Sequence, residues 1–197
     1  MKWNITRKAE LTTATWKGGT TTQLFIYPDG TEYQKFNFDF RMSYATVEIP
    51  ESTFTFMPGV TRHLMILRGE LEIDHTNQYK KHLKKFDLDV FNGEWPTTAK
   101  GLVMDFNLMV RNGTEGNVEA CVLKRGDKKP ILADSSYDYS GLFVLAGDLI
   151  IRTTEDSATL HQGDFILLEH SEPTAFSLHS LSGCEVIFAH VKKTVLS

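Results

Sequence analysis

The stretch Arg62-His-Leu-Met-Ile-Leu-Arg-Gly-Glu-Leu-Glu-Ile-Asp74 places a glycine between two runs of mainly apolar residues. A turn glycine between such runs predicts two antiparallel strands that form a hairpin at Arg68-Gly69. A second stretch, Leu142-Phe-Val-Leu-Ala-Gly-Asp-Leu-Ile-Ile-Arg152, has the same pattern and aligns Gly147 with Gly69. The sequence therefore indicates an internal repeat.

The repeat continues beyond the turn. Residues 83–91 align with residues 160–168, so that Asp87 and Asp164 share a position. A repeat this long, with about four strands in each unit, is typical of two β-domains and too long for a solenoid. Chance similarity between short hairpins is the alternative. We predict an N-terminal barrel over residues 1–120 that contains the ligand pocket, and a second half over residues 121–197.

Composition favours an all-β globular protein. The 197 residues are 41% hydrophobic and 23% charged, which is ordinary for a globular chain, and 13 of them are Phe. Aromatic and β-branched residues prefer strands, and the chain is long enough to bury a large core.

Charge and apolar patterning exclude several functions. The net charge is −4, and no window concentrates enough Lys or Arg for a nucleic-acid face. Residues 1–7 lack the apolar core of a signal peptide, and no apolar run is long enough for a membrane span, so we expect a cytoplasmic protein with no membrane partner. Cys121 and Cys184 are too few for a disulfide framework and are expected to be reduced.

Two predicted strands carry polar residues on an alternating face. In residues 38–49, Arg41 and Ser43 share one face, and both faces are largely apolar. A buried Arg41 would need an anion or a wet cavity, whereas an edge position would let it reach solvent. In residues 101–111, Asp105, Asn107 and Arg111 share a face, which is either the solvent face or the wall of a polar cavity.

The segment Trp16-Lys17-Gly18-Gly19 offers two further alternatives. Paired glycines let the backbone approach another group closely. The segment is either a bulge where a strand begins or a loop whose N–H groups face a ligand.

A set of short motifs extends the pattern over much of the chain. They are Trp16-Lys-Gly-Gly-Thr20, Phe40-Arg41-x-Ser43-x-Ala45, Phe54-x-Phe56-x-Pro58-Gly59-Val60-x-Arg62, Leu67-x-Gly69, Phe91-x-Gly93 and Gly101-x-x-x-Asp105-Phe-Asn-x-Met109-x-Arg111. Together they resemble the HutD/Ves family, and the repeated Leu-x-x-Leu-x-Gly-Glu/Asp pattern resembles the cupin superfamily. The resemblance spans roughly residues 3–190. It implies an all-β bicupin, in which two double-stranded β-helix (jelly-roll-like) barrels pack together.

The cupin resemblance also bears on metal binding. Metal-binding cupins place a glutamate ligand seven residues before the turn glycine, and here that position holds Arg62 in the first half and Ser140 in the second. A cation in place of a ligand disfavours a metal site, so we expect no metal and no cofactor.

If the first barrel keeps the usual cupin cavity, Arg62 points into it, and Arg41 and Arg111 lie on neighbouring strands. Guanidinium groups bind carboxylates bidentately, and Ser43 or Asn107 would add neutral hydrogen bonds. We predict a ligand site made of these residues together with Asp105, Trp16, Lys17 and Gly18. Alternatively, Asp105 pairs with an arginine in a purely structural network. Beside arginines, Asp105 is expected to stay ionised and acidic, and so to be a poor general acid.

The favoured function is a metal-free cupin that binds a small carboxylate metabolite as a sensor or regulator. The HutD resemblance implies a link to histidine utilisation, with urocanate or formylglutamate as candidate ligands, whereas the Ves resemblance implies a stress-related role. One alternative is a cupin enzyme, of isomerase or lyase type, that acts on a small carboxylate. Another is a protein-interaction module, and a homodimer is possible in either case.

Overall fold

The computed structural model describes residues 2–132, 136–170 and 175–193. Its strands are β1 (Lys2–Thr6), β2 (Thr12–Trp16), β3 (Gly19–Tyr27), β4 (Phe40–Val47), β5 (Glu51–Thr53), β6 (Thr61–Arg68), β7 (Leu71–His75), β8 (Tyr79–Leu83), β9 (Leu88–Asn92), β10 (Thr97–Lys100), β11 (Val103–Val110), β12 (Glu115–Leu123), β13 (Lys128–Leu132), β14 (Tyr139–Ala146), β15 (Leu149–Arg152), β16 (Ser157–Leu160), β17 (Phe165–Glu169), β18 (Ala175–Ser180) and β19 (Cys184–Lys192). Short 3₁₀ helices cover Lys8–Glu10 and Tyr33–Lys35. The all-β prediction is confirmed, and none of the described helices is long and apolar enough to cross a bilayer.

The chain divides into two compact units. The N-terminal unit, residues 12–117, contains a six-stranded sheet in the order β2-β3-β4-β11-β6-β9 and a four-stranded sheet in the order β5-β10-β7-β8. The C-terminal unit, residues 2–11 and 118–193, contains the sheets β1-β17-β14-β19-β12 and β13-β18-β15-β16. Each unit thus contains two sheets, as a cupin barrel does.

Strand β1 lies in the C-terminal unit, whereas the predicted boundary puts it in the first barrel. It pairs antiparallel with β17, where Asn4 lies opposite Leu167. The N–H and C=O groups of an edge strand need partners, and β1 supplies them to β17. The first residues of the chain therefore belong to the C-terminal unit, although the boundary at residue 120 assigns them to the first barrel.

The predicted hairpin at Gly69 is wrong. Strand β6 pairs with β11 and β9, whereas β7 pairs with β10 and β8, so the turn carries the chain from one sheet to the other. Gly69 has a φ of +79°. A Cβ at Gly69 would lie 2.3 Å from the carbonyl oxygen of Leu102. The glycine is needed for the sharp corner between sheets, which has the same local sequence pattern as a hairpin.

The internal repeat is visible in the hydrogen bonds. In the N-terminal unit the N–H of Ile66 donates to the carbonyl of Asp87 over 3.1 Å. In the C-terminal unit the N–H of Val144 donates to the carbonyl of Asp164 over 3.0 Å. These aspartates are the pair that the sequence alignment matched. Both halves therefore form this hydrogen bond at equivalent positions.

Each unit has its own apolar core. In the N-terminal unit Leu64 and Ile66 of β6 pack with Leu71 and Ile73 of β7, so that the two sheets enclose the cluster. In the C-terminal unit the inward residues of β14, β17 and β19 form a larger buried cluster that includes Leu142. The polar residues described next lie on the core-facing side of the N-terminal six-stranded sheet.

Candidate functional site

The candidate site is built on three adjacent strands of the N-terminal unit. The central strand β11 pairs with β4 on one side and β6 on the other. Met109 of β11 lies opposite both Arg41 of β4 and Arg62 of β6. Because side chains alternate along a strand and cross-strand partners share a face, both arginines lie on the same face of the sheet.

The same face continues along β11 with Asn107 and Asp105. Asn107 lies opposite Ser43, and Asp105 lies opposite Ala45. The residues are buried, since Asn107 is 5% exposed and Asp105 is 7% exposed. This burial excludes the solvent-face interpretation of the strand.

Arg41 is held by neutral partners. Its Nε donates to Oε1 of Gln23 over 2.9 Å, and its Nη1 donates to Oγ of Ser43 over 3.0 Å. The guanidinium carbon also lies 4.3 Å from the centre of the Tyr33 ring. Burial lowers the pKa of Arg41, which lies inside the sheet and not at a solvent-exposed edge.

Arg62 is held by packing. Its guanidinium carbon lies 4.6 Å from the centre of the Phe54 ring and 5.4 Å from that of Phe91. The Nε atom is buried and makes no hydrogen bond within the described part of the chain. Burial lowers the pKa of Arg62, and the positive charge of Arg62 in turn helps to lower the pKa of Arg41. The two guanidinium groups are therefore close enough to repel each other.

Asp105 differs from the expectation of an ionised, acidic group. Burial raises its pKa to about 7, and the opposing attraction of Arg62 is the smaller effect. No ion pair or hydrogen bond of its carboxyl group is found among the described residues, so the predicted pairing with an arginine is not formed. Desolvation outweighs a cation that is near but not in contact.

Of the remaining predicted site residues, those of the glycine turn lie away from Arg41 and Arg62. Trp16, Lys17 and Gly18 are at the turn between β2 and β3, on the edge of the sheet. Gly19 in that turn pairs with Val47, about 20 Å along β4 from Arg41 at roughly 3.3 Å per residue. Arg111 follows β11, and its Nε and Nη1 atoms are buried without a hydrogen bond within the described residues.

Two contacts of the site could not be found from the motifs. Gln23 lies in a threonine-rich strand, and Tyr33 lies in a short 3₁₀ helix within a polar connection. Gln23 is 18 residues from Arg41 in the sequence, and Tyr33 is 8 residues from it. The only available signal was the aromatic character of Tyr33.

The HutD family model matches residues 8–187. The chain belongs to the HutD family. Comparison with curated proteins gave no match.

Several solved structures share the fold of this chain. The chain is similar to the conserved protein of unknown function PA5104 from Pseudomonas aeruginosa PAO1, with a TM-score of 0.83, 17% identity, and coverage of 98% of this chain and 100% of that one. HutD from Pseudomonas fluorescens SBW25, solved in a formate condition, gives a TM-score of 0.74 with 15% identity and coverage of 98% and 100%. The bacterial pirin YhhW from Escherichia coli, in complex with nickel(II), gives a TM-score of 0.72 with 10% identity and coverage of 98% and 100%.

Metal ligands are sparse in this HutD-family chain. Within residues 2–132, 136–170 and 175–193, no group of three or more His, Cys, Asp or Glu side chains is arranged to hold a metal ion. The free cysteines Cys121 and Cys184 are both buried in the C-terminal unit. The nickel of the pirin complex therefore has no matching cluster in the described part of this chain.

The C-terminal unit of the HutD-family chain carries different chemistry at the repeat position of Arg62. Ser140 lies opposite His190, as Arg62 lies opposite Met109. The Ser140 hydroxyl is 2.7 Å from Nδ1 of His190 and 2.8 Å from Nε2 of His170. A serine hydroxyl has one hydrogen, so it donates to one imidazole and accepts from the other. Among the described residues, both buried arginines belong to the N-terminal unit.

Proposed function

We propose that the polar face of the N-terminal unit binds a small carboxylate, and that Arg62 is the main contact of the anion. The observation that carries this proposal is the buried guanidinium group of Arg62. It is 8% exposed, its Nε has no hydrogen-bond partner in the described structure, and a second buried cation, Arg41, lies across one strand.

Electrostatics favours an anion here. A buried charge is costly unless it is paired and hydrogen-bonded, and two neighbouring cations add to that cost. Asp105 offsets one positive charge at most, and only when it is ionised. A carboxylate that accepts bidentate hydrogen bonds from Arg62 would neutralise the remaining charge and provide the missing partners.

Size and family membership support a metabolite ligand. The site lies between the two sheets of one barrel, so a small molecule suits it better than a polymer. Membership of the HutD family supports a regulatory or sensing role in histidine utilisation, with urocanate and formylglutamate as candidate ligands. The formate condition of the Pseudomonas fluorescens HutD structure makes formate a natural minimal probe.

A second candidate function is an enzyme that acts on a small carboxylate. The observation that favours it is Asp105, whose pKa is raised to about 7. A group that titrates near neutral pH can both accept and return a proton, as an isomerase or lyase requires. A buried acid of this kind beside a carboxylate site would then be the general acid or base.

The binding proposal is tested by thermal-shift measurements with formate, urocanate, formylglutamate, glutamate and chloride. Ligand at a hundred times its dissociation constant adds about 2.7 kcal/mol to the free energy of unfolding. We expect a carboxylate-selective shift that Arg62→Met abolishes. The matched control is Arg68→Met, because Arg68 ends the same strand and is exposed.

The outcomes separate the alternatives. A shift that survives Arg62→Met, or no shift with any carboxylate, would contradict the binding proposal. A shift abolished by a chelator would point to a metal site instead. Consumption of a bound carboxylate by the wild-type protein, lost in Asp105→Asn, would favour the enzyme.

A further inference from the structure

We propose that the bound carboxylate also carries a hydrogen-bond donor, an N–H or O–H group, and that Asp105 and Asn107 accept it. This inference rests on the proposed binding of a carboxylate at Arg41 and Arg62. It narrows the ligand class from any small carboxylate to one with two functional groups, and it makes Asp105 and Asn107 the residues that determine specificity.

Unsatisfied acceptors carry the inference. Asn107 Oδ1 is buried and has no hydrogen-bond partner in the described structure. The Asp105 carboxyl group forms no hydrogen bond or ion pair with any described residue, and both residues are more than nine-tenths buried. Leaving a buried acceptor unpaired costs about 1–3 kcal/mol, and most such groups in proteins are paired. The buried, unpaired Oδ1 of Asn107 lies two residues along β11 from an Asp105 carboxyl group that has no hydrogen bond among the described residues, which indicates that the ligand is their partner.

The order of the side chains along β11 separates donors from acceptors. The arginines flank Met109, whereas Asn107 and Asp105 lie two and four residues away on the same face. At roughly 3.3 Å per residue these are Cα separations of about 7 Å and 13 Å. The long Arg62 side chain shortens the gap, because its guanidinium group and the Asp105 carboxyl group act on each other's pKa. A ligand with its carboxylate at the arginines therefore extends its other end along the strand, toward groups that accept hydrogen bonds.

The surroundings of Asp105 leave its carboxyl group available to a ligand. Its direct neighbours in the sheet are Ala45 on β4 and Ile66 on β6, and neither is polar. Arg62 is the charged group that acts on the pKa of Asp105. The Tyr33 phenol in turn acts on the pKa of Arg62, and both Tyr33 and Arg62 act on the pKa of Arg41. As pH rises through about 7 the carboxyl group ionises and becomes a pure acceptor, which binds an N–H more strongly.

The test compares two ligands that differ by one group. N-acetylglycine has an amide N–H where 4-oxopentanoate has a CH₂, and the two chains are otherwise matched. Dissociation constants are measured by ¹H–¹⁵N chemical-shift titration at pH 6 and pH 8. We expect N-acetylglycine to bind about tenfold more tightly at pH 8, because a site with buried acceptors rejects an analogue that lacks the donor.

Substitutions test whether Asn107 and Asp105 cause the preference for N-acetylglycine. Asn107→Leu and Asp105→Leu should each reduce the preference while 4-oxopentanoate still binds. Asp105→Asn should make the preference the same at both pH values, because the titrating group is gone. The control is Asn4→Leu, which changes an exposed Asn of the C-terminal unit. It should leave the dissociation constants of both ligands unchanged.

Failure of this inference is distinguishable from failure of the proposed function. Equal binding of the two ligands, or tighter binding of 4-oxopentanoate, overturns the inference and leaves the carboxylate site standing. Binding of formate but of neither longer ligand overturns it as well, because the site then takes only a simple anion. If formate also fails to bind, the proposed function falls and the inference with it.

Discussion

Arg41 and Arg62 lie opposite the same residue, Met109, from the two strands that flank β11, yet their guanidinium groups are held in different ways. Arg41 donates hydrogen bonds to Gln23 and Ser43, whereas Arg62 rests on aromatic rings with a buried Nε that has no partner among the described residues. Arg41 is thus part of the barrel framework. Arg62, whose buried Nε is unpaired in the described structure like Nε and Nη1 of Arg111, is a cation available to a ligand.

This difference predicts opposite effects on stability. Arg41→Met should lower the free energy of unfolding by roughly 1–3 kcal/mol, because the acceptors on Gln23 and Ser43 lose their donor. Arg62→Met should leave stability unchanged or raise it, since a buried unpaired charge is replaced by an apolar chain of similar volume. Urea unfolding of both variants without ligand provides the measurement. A larger loss in Arg62→Met than in Arg41→Met would show that Arg62 is structural.

Asp105 should make the protein less stable as pH rises. Its pKa of about 7 in the folded state exceeds the ordinary aspartate value near 3.9, so the folded state holds the proton more tightly than the unfolded state. The contribution to stability is therefore full below pH 4 and is lost as pH rises through 7. A shift of three units corresponds to up to about 4 kcal/mol.

The measurement is the difference in free energy of unfolding between Asp105→Asn and wild type at several pH values. This difference cancels the other titrating groups. Between pH 4 and pH 8 the free energy of unfolding of Asp105→Asn should increase relative to that of the wild type. A flat difference would mean that Asp105 is ionised throughout, as the sequence alone suggested.

Asp89 stabilises the same unit with the opposite pH dependence. Its carboxylate is fully buried and accepts hydrogen bonds from Tyr79 over 3.0 Å, from His75 over 2.8 Å, and from Lys81. These donors outweigh the effect of burial and lower the pKa of Asp89. Its contribution to stability is therefore present above the ordinary aspartate pKa near 4 and is lost as pH falls through the lower folded value.

Replacing Asp89 should be strongly destabilising. We expect Asp89→Asn to cost about 3–5 kcal/mol in urea unfolding at pH 7, because it breaks a buried ion pair and leaves His75 poorly paired. The matched control is Asp74→Asn, which removes the exposed ion pair with Lys80 and should cost less than about 1 kcal/mol. Similar losses in the two variants would contradict a special role for the buried network.

Local patterns in the sequence predicted much of this site. Alternation placed Arg41 with Ser43 and Asp105 with Asn107, and the cupin resemblance singled out Arg62 at the position of a metal-ligand glutamate. Those inferences hold because strand periodicity and turn spacing are local properties. The same local pattern could not distinguish a hairpin at Gly69 from a corner between sheets, because the partner strands are distant in sequence.

The properties that depend on tertiary packing could not be predicted. The pKa of Asp105 depends on how fully the folded chain buries its carboxyl group, and the hydrogen bond between Arg41 and Gln23 depends on the register between β3 and β4. Proximity to arginines alone suggested an acidic Asp105, because the sequence gives no measure of desolvation. Burial then proved to be the larger effect.

The glycine turn before β3 provides a last prediction, since the sequence left open whether it is structural or faces a ligand. Gly19 has a φ of +149°, and a Cβ there would lie 1.9 Å from the carbonyl oxygen of Thr46. Gly19→Ala should therefore cost roughly 2–4 kcal/mol in urea unfolding. Gly30 also has a positive φ, but a Cβ there meets nothing within 4 Å, so Gly30→Ala should cost only about 1 kcal/mol.

Carboxylate binding separates the two interpretations of this turn. If it is structural, Lys17→Ala should leave the dissociation constant of the bound carboxylate unchanged, because the turn lies at the sheet edge, far along β4 from Arg41. Folded Gly19→Ala protein should likewise retain binding. A tenfold or greater loss of affinity in Lys17→Ala, with stability unaffected, would show that the turn contacts the ligand and that the site extends to the edge of the sheet.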